Sequence, residues 1–135
     1  MQCVLVDTSI WVDHFHKGEP LLQDLLNAGQ VMIHPFIIGE LACGSLKNRS
    51  EILKLLSELP AMTTASHDEV LHVIEKNKMS GKGLGWIDFH LLASALLNGI
   101  PLWTRDKKLA TAAKQLNITG KSEATGAHLD IVHNR

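Results

Sequence analysis

Cysteine is nearly absent: Cys3 and Cys43 are the only two in 135 residues. Two thiols are too few for a disulfide framework or a zinc cage. Both sit in apolar runs, so they read as buried and inert rather than as nucleophiles. Long hydrophobic runs are missing too. The longest uncharged stretch, Phe89 to Thr104, is interrupted by Asn98, Gly99 and Pro101. It falls short of the roughly 18 apolar residues that a membrane span needs. The early apolar run Cys3 to Val6 stops at Asp7 with no charged region before it, which is not the pattern of a secretory leader. Repeats and low-complexity tracts are absent. Net charge is small, −1, and 45% of residues are apolar, which argues against disorder. The expectation is a reduced, cytoplasmic protein of one domain with a substantial core.

The small net charge conceals an asymmetry. Residues 1–75 carry 4 basic and 10 acidic groups, residues 76–121 carry 8 and 2, and residues 122–135 carry 1 and 2. A basic segment suggests an anionic partner, nucleic acid first, although a lysine-rich solvated face gives the same composition. The only two acids inside that segment are Asp88 and Asp106.

Strands and helices alternate along the chain. Residues 3–6 read as a buried strand, followed by a short helix over 9–15. Pro20 opens a second helix that closes at Ala28-Gly29. Residues 31–33 form the next strand, and Pro35 opens a helix through about Gly44. Asn48 with Glu51, and Ser66 with Glu69, have capping-box spacing for helices over 49–58 and 67–78. Val70, Ile74 and Leu71 would face inward on the latter. Residues 61–64 could add a strand between them. Residues 80–85 form a glycine-containing loop, 87–97 an apolar helix ended by Asn98-Gly99, 101–104 a strand and 106–116 an amphipathic helix. A strand over 129–132 is the one element suggested by the tail. This alternation predicts an α/β fold with a parallel sheet and helices on both faces. Ligands gather at the carboxyl ends of such strands.

Four carboxylates draw attention in that frame. Asp7 follows the first strand and Asp106 the last. Glu40 lies inside the third helix, and Phe36, Ile37, Cys43 and Gly44, its helical neighbours, include no cation. Asp88 starts its helix among Gly85, Leu91 and Leu92. Glu40 and Asp88 are therefore expected to face the interior, where an uncompensated carboxylate costs roughly several kcal/mol. Each also has an ordinary explanation: Asp7 and Asp106 as helix caps, Asp88 as partner of a helix dipole, and Glu40 paired with a distant cation. Together they suggest an oxygen-only site for Mg²⁺ or Mn²⁺ beside a basic surface, a layout suited to phosphodiester hydrolysis.

Other constellations carry less. His14 and His16 are two apart and share no helix face, so zinc is disfavoured there. Ser9 lacks a nucleophile-elbow context. Gly81, Gly83 and Gly85 do not follow a strand in the dinucleotide pattern. Trp11, Trp86 and Trp103 lie in apolar stretches and read as core or partner-facing, not as a base-stacking platform. A phosphoaspartate enzyme would usually carry a second Asp at position 9, where Ser9 stands. A non-catalytic RNA-binding module remains the rival from a different class.

Val6-Asp7-Thr8-Ser9, Gly39-Glu40-Leu41, Trp86-Ile87-Asp88 and Trp103-Thr104-Arg105-Asp106 resemble, in their order and spacing, the PIN-domain ribonucleases. The stretches 34–41 and 102–107 look like those of the VapC toxins of VapBC toxin–antitoxin pairs, and the resemblance covers about residues 2–120. It implies a three-layer α/β/α sandwich with a short parallel central sheet, as one domain spanning 1–135 with the tail after about 120 unassigned. It implies a Mg²⁺- or Mn²⁺-dependent endoribonuclease, with Asp7, Glu40, Asp88 and Asp106 as the acidic cluster. Thr8 or Ser9 and Thr104 match the hydroxyls that orient it. A homodimer, a cognate VapB antitoxin and structured RNA such as tRNA are the implied partners. Arg105, Lys107 and Lys108 flank Asp106 and are candidates for RNA phosphate contacts, with Lys82 and Lys114 at the margin of that surface.

Overall fold

The computed structural model describes residues 2–118. Three short strands, β1 (Val4–Val6), β2 (Val31–Met32) and β3 (Leu102–Trp103), form a parallel sheet in the order β2-β1-β3. Seven helices surround it: α1 (Thr8–Lys17), α2 (Pro20–Asn27), α3 (Pro35–Cys43), α4 (Arg49–Ser57), α5 (His67–Lys76), α6 (Trp86–Asn98) and α7 (Lys107–Gln115). The expected α/β/α sandwich with its short central sheet is what the described residues form. The possible strand over 129–132 lies outside them.

The central strand explains its own composition. β1 is hydrogen-bonded on both edges and covered on both faces, so every residue of Val4-Leu5-Val6 is buried and the strand reads as a continuous apolar run. Register pairs Val6 with Trp103, and the Asp7 N–H bonds the Trp103 carbonyl at 2.9 Å. That register brings Asp7 and Thr104, each the next residue beyond its strand, side by side. One core cluster runs through the described residues, from β1 and Ile10 to Leu92, Trp103 and Ala113.

Local signals explain most boundaries. Pro20 and Pro35 occupy first helical positions. Ser66 and Glu69 form the capping box that starts α5, and Gly99, at φ 65°, ends α6 in the left-handed conformation. Some expectations fail. Asn48 adopts φ 55° and makes no side-chain cap, so its box with Glu51 does not form. Residues 61–64 contribute only the single bridge Ile33–Ala61. Leu71 is exposed, while Val70 is buried and Ile74 packs at the core edge. Cys43, at the last turn of α3, is exposed, and Cys3 is half-buried; an apolar neighbourhood in sequence did not cover either thiol. Trp11 and Trp103 are buried in the core, whereas Trp86 stands 39% exposed at the start of α6.

Candidate functional site

The strand register begins the site. Asp7 caps α1 and is buried, its Oδ2 accepting from the Ser9 amide at 3.4 Å. The same oxygen accepts from the Ser9 hydroxyl at 2.9 Å and the Thr104 hydroxyl at 2.8 Å. Both hydroxyls are themselves held. Ser9 Oγ accepts the Arg105 amide at 3.1 Å, and Thr104 Oγ1 accepts the Asp106 amide at 3.0 Å. The turn after β3 and the turn after β1 are thereby stitched into one rigid floor.

The other carboxylates repeat one pattern. Glu40 Oε1 accepts from Thr8 Oγ1 at 2.8 Å. Asp88 Oδ2 accepts the Gly85 amide at 3.1 Å. Asp106 Oδ1 accepts the Leu109 amide at 3.0 Å as the cap of α7. In all four, one oxygen carries every recorded hydrogen bond. The second oxygen (Asp7 Oδ1, Glu40 Oε2, Asp88 Oδ1, Asp106 Oδ2) has no partner among the described residues, and none of these four is a buried orphan. The ordinary explanations thus hold for Asp7 and Asp106 as caps and for Asp88 at the N-terminus of its helix, but they use only half of each carboxylate.

Asp88 also feels the charges of Asp106 and Asp7. Burial raises the Asp88 carboxyl above its ordinary value, the Gly85 hydrogen bond opposes this, and the nearby charges of Asp106 and Asp7 push it further up. Glu40 and Asp88 are half-buried at the surface of the fold rather than interior as the sequence suggested. This half-burial leaves their free oxygens open to a ligand. Thr8, next to Asp7 in the chain, links Glu40 to the same corner.

Among the described residues, no group of three or more His, Cys, Asp or Glu side chains stands close enough together to hold a metal ion by itself. The donor set still fits a hard divalent cation. Every available atom is a carboxylate oxygen, and Mg²⁺ keeps several waters, so one or two direct protein ligands suffice. The hydroxyls of Thr8, Ser9 and Thr104 are the outer supports that orient such ligands.

Arg105 departs from its expected part. Its guanidinium bridges Asp13 and Glu19, with Nη2–Glu19 Oε2 at 2.6 Å. Burial opposes its charge, but the hydrogen bonds to Asp13 and then Glu19 outweigh that and hold its pKa above the ordinary value. A cation committed to two carboxylates is not free for phosphate; it ties the β3–α7 turn to α1 and the start of α2. Asp13 and Glu19 were not legible as its partners. Nothing in local spacing connects Asp13 to a residue 92 positions away. Lys107 and Lys108 lie in the first turn of α7 beside Asp106 and have no carboxylate partner among the described residues. His14, one of the two disfavoured zinc candidates, caps the turn before α2 by accepting the Glu19 amide at 3.1 Å.

A histidine network under the site had no counterpart in the sequence argument. His34 caps α3 through Nδ1, which accepts the Phe36 amide at 3.0 Å. Its Nε2 stands 3.2 Å from Ser94 Oγ. The Nδ1 bond requires an unprotonated nitrogen, so Nε2–H is the donor to Ser94. Burial, with the nearby His90, pushes the His34 pKa down to about 4. The neutral ring fastens α3, which carries Glu40, to α6, which carries Asp88.

Comparison with known proteins agrees with this geometry. The family model of the PIN domain matches residues 4–115. Two curated relatives are called Ribonuclease VapC32, from Mycobacterium tuberculosis strains CDC 1551 / Oshkosh and ATCC 25618 / H37Rv. Each is 40% identical over 123 residues, covering 90% of this chain and 99% of the relative. A matching family model over most of the chain, together with relatives alike along nearly their whole length, shows that this chain belongs to the PIN-domain family and, within it, to the VapC ribonucleases.

Proposed function

We propose that the protein is a Mg²⁺-dependent endoribonuclease, the toxin of a type II toxin–antitoxin pair. Its substrate is tRNA or another structured RNA, and a cognate VapB-type antitoxin restrains it. The observation that carries this reading is the division of labour within each carboxylate. One oxygen of Asp7, Glu40, Asp88 and Asp106 is fixed by a hydroxyl or amide, and the other is left free.

Those four free oxygens would hold Mg²⁺, or Mn²⁺, directly or through water. The ion supplies Lewis-acid stabilisation of the phosphoryl oxygens and lowers the pKa of bound water. The chain's own contribution is position. Thr104 and Ser9 prevent the Asp7 carboxylate from rotating, Thr8 does so for Glu40, and the caps at Asp88 and Asp106 fix the rest. Lys107 and Lys108 offer charge to RNA phosphates. Hydrolysis by water breaks the P–O3′ bond and leaves 5′-phosphate and 3′-hydroxyl ends. The protein acts as a homodimer in the cytoplasm. Support for the dimer comes from Phe36, Trp86 and Ile87, apolar side chains left exposed near the α3–α6 contact. Among the described residues no helix is long and apolar enough to cross a membrane.

The test is cleavage of end-labelled total tRNA by antitoxin-free protein, with Mg²⁺ or with EDTA, beside Asp7→Asn. Discrete fragments with 5′-phosphate ends that require both the metal and Asp7 are expected. Metal-independent fragments, or cyclic-phosphate ends, would overturn the mechanism. Binding of RNA with no cleavage across tRNA, mRNA and rRNA pools would favour the non-catalytic module.

A further inference from the structure

A cleft of about 230 Å³ opens between the loop after α5 and the outer face of α7. Lys82, Lys107 and Lys108 line it together with Leu84, Thr111, Ala112 and Gln115. No acidic residue lines it, and none of the three lysines has a carboxylate within ion-pair distance among the described residues. Three like charges gathered around a small concave surface repel one another, and an anion between them relieves that repulsion.

Two of the exposed lysines make contacts that link the loop to α7. Gly83 adopts φ +80°, and a Cβ there would stand 2.8 Å from Lys108 Nζ, 3.3 Å from its Cδ and 3.4 Å from its Cε. The end of the Lys108 side chain, its ammonium included, therefore lies against bare glycine backbone beside the cleft. Lys82 Nζ donates to Gln115 Oε1 at 3.2 Å, and Gln115 Nε2 donates to the Asn77 carbonyl at 3.2 Å. These bonds lock the loop to α7. The cleft also adjoins the acidic site from two directions. Lys107 follows Asp106, and the loop ends at Gly85, whose amide holds Asp88.

We propose that this cleft holds one nucleotide of the RNA strand flanking the scissile bond. Its phosphate lies among Lys82, Lys107 and Lys108, and its ribose lies against Leu84 and Ala112. Those apolar side chains favour a nucleotide over a bare phosphate ion, which would use only the lysines. Gly83 is a positioning residue, acting through Lys108. The proposal rests on the ribonuclease reading and extends it to the path of the strand.

The experiment has two arms. In the first, full-length Asp7→Asn protein in EDTA is titrated with labelled total tRNA between low and physiological salt. Adding Lys82→Ala should weaken binding several-fold and lower the slope of log affinity against log salt by about 0.7, one phosphate contact. Gly83→Ala should weaken binding with every lysine intact. In the second arm, protein with an intact acidic site cleaves RNA in Mg²⁺. There Lys82→Ala and Gly83→Ala should raise KM and leave kcat unchanged. An unchanged melting temperature confirms that Lys82→Ala folds, and Gly83→Ala, strained at φ +80°, is assayed well below its own melting temperature. Variants that bind and cut like their parents overturn the cleft. Absence of cleavage by the parent in Mg²⁺ is the distinct failure of the ribonuclease reading itself.

Discussion

Asp106 caps α7 with one oxygen, the proposed function gives its other oxygen to a metal, and a substitution can separate the two roles. Serine caps a helix about as well as aspartate, so Asp106→Ser should keep thermal stability within about 0.5 kcal/mol of the parent. It removes the free oxygen, and cleavage should fall by at least ~100-fold, beyond the loss typical of outer supports. Thr104→Val removes only such a support, the hydroxyl that holds Asp7 and receives the Asp106 amide. Metal affinity, followed by calorimetry, should drop roughly 10- to 100-fold. His34 gives a pH signature. Its folded-state pKa of about 4 lies below the ordinary 6.5, so the unfolded chain takes up a proton before the folded one does. Its contribution to stability is complete above pH 6.5 and declines as pH falls from 6.5 towards 4. Urea midpoints at pH 7.5 and 4.5 should show that decline, and His34→Asn, which keeps a capping side chain, should show less of it.

The helices differ in how they start, and the difference matters for what each supports. α5 begins with a complete capping box, in which Ser66 accepts the Glu69 amide and Glu69 accepts the Ser66 amide. Ser66→Ala should cost about 1 kcal/mol, read as a lower urea midpoint at unchanged slope. Cleavage at a temperature where the protein is folded should be unaffected, because α5 carries no carboxylate of the site. α3 and α6 carry Glu40 and Asp88, and they are joined by the His34–Ser94 hydrogen bond. Ser94 Oγ also accepts the Ala65 amide at 3.0 Å, so one hydroxyl anchors α3, α6 and the segment before α5. The Arg105 bridge to Asp13 and Glu19 does the same between the last strand turn and α1.

At the scale of the molecule, the proposed metal site predicts that a divalent cation stabilises the fold. Mg²⁺ at about 100 times its dissociation constant should raise stability by about 2.7 kcal/mol. Asp7→Asn should abolish most of that gain, measured as the melting shift on adding Mg²⁺. The exposed apolar residues carry a second whole-molecule expectation. Trp86 and Phe36 flank His90 with ring centroids 5.0 and 4.6 Å away, a patch for which a second copy is the proposed cover. Trp86→Glu should shift the mass seen by light scattering from dimer to monomer; an unchanged mass would move the dimer contact elsewhere.

What the sequence determined by itself was local. Prolines at first helical positions, the Ser66–Glu69 spacing, the glycine after α6 and the buried run of β1 act within one turn or one strand, so short-range pattern was enough for the order of elements. The four carboxylates became candidates for the same reason, since strand ends and an apolar helix face are local facts. Only the tertiary structure decided the rest. The register of β1 with β3 set Thr104 on Asp7, and the long-range approach of Arg105 to Asp13 withdrew that arginine from the basic surface. Packing left Cys43 and Trp86 exposed and Glu40 and Asp88 half-buried, which apolar neighbours in sequence did not foretell. Gly83 looked like turn chemistry until the end of the Lys108 side chain lay against it. Each of these depends on which distant surfaces meet, and that depends on how the whole core packs rather than on the spacing of residues within an element.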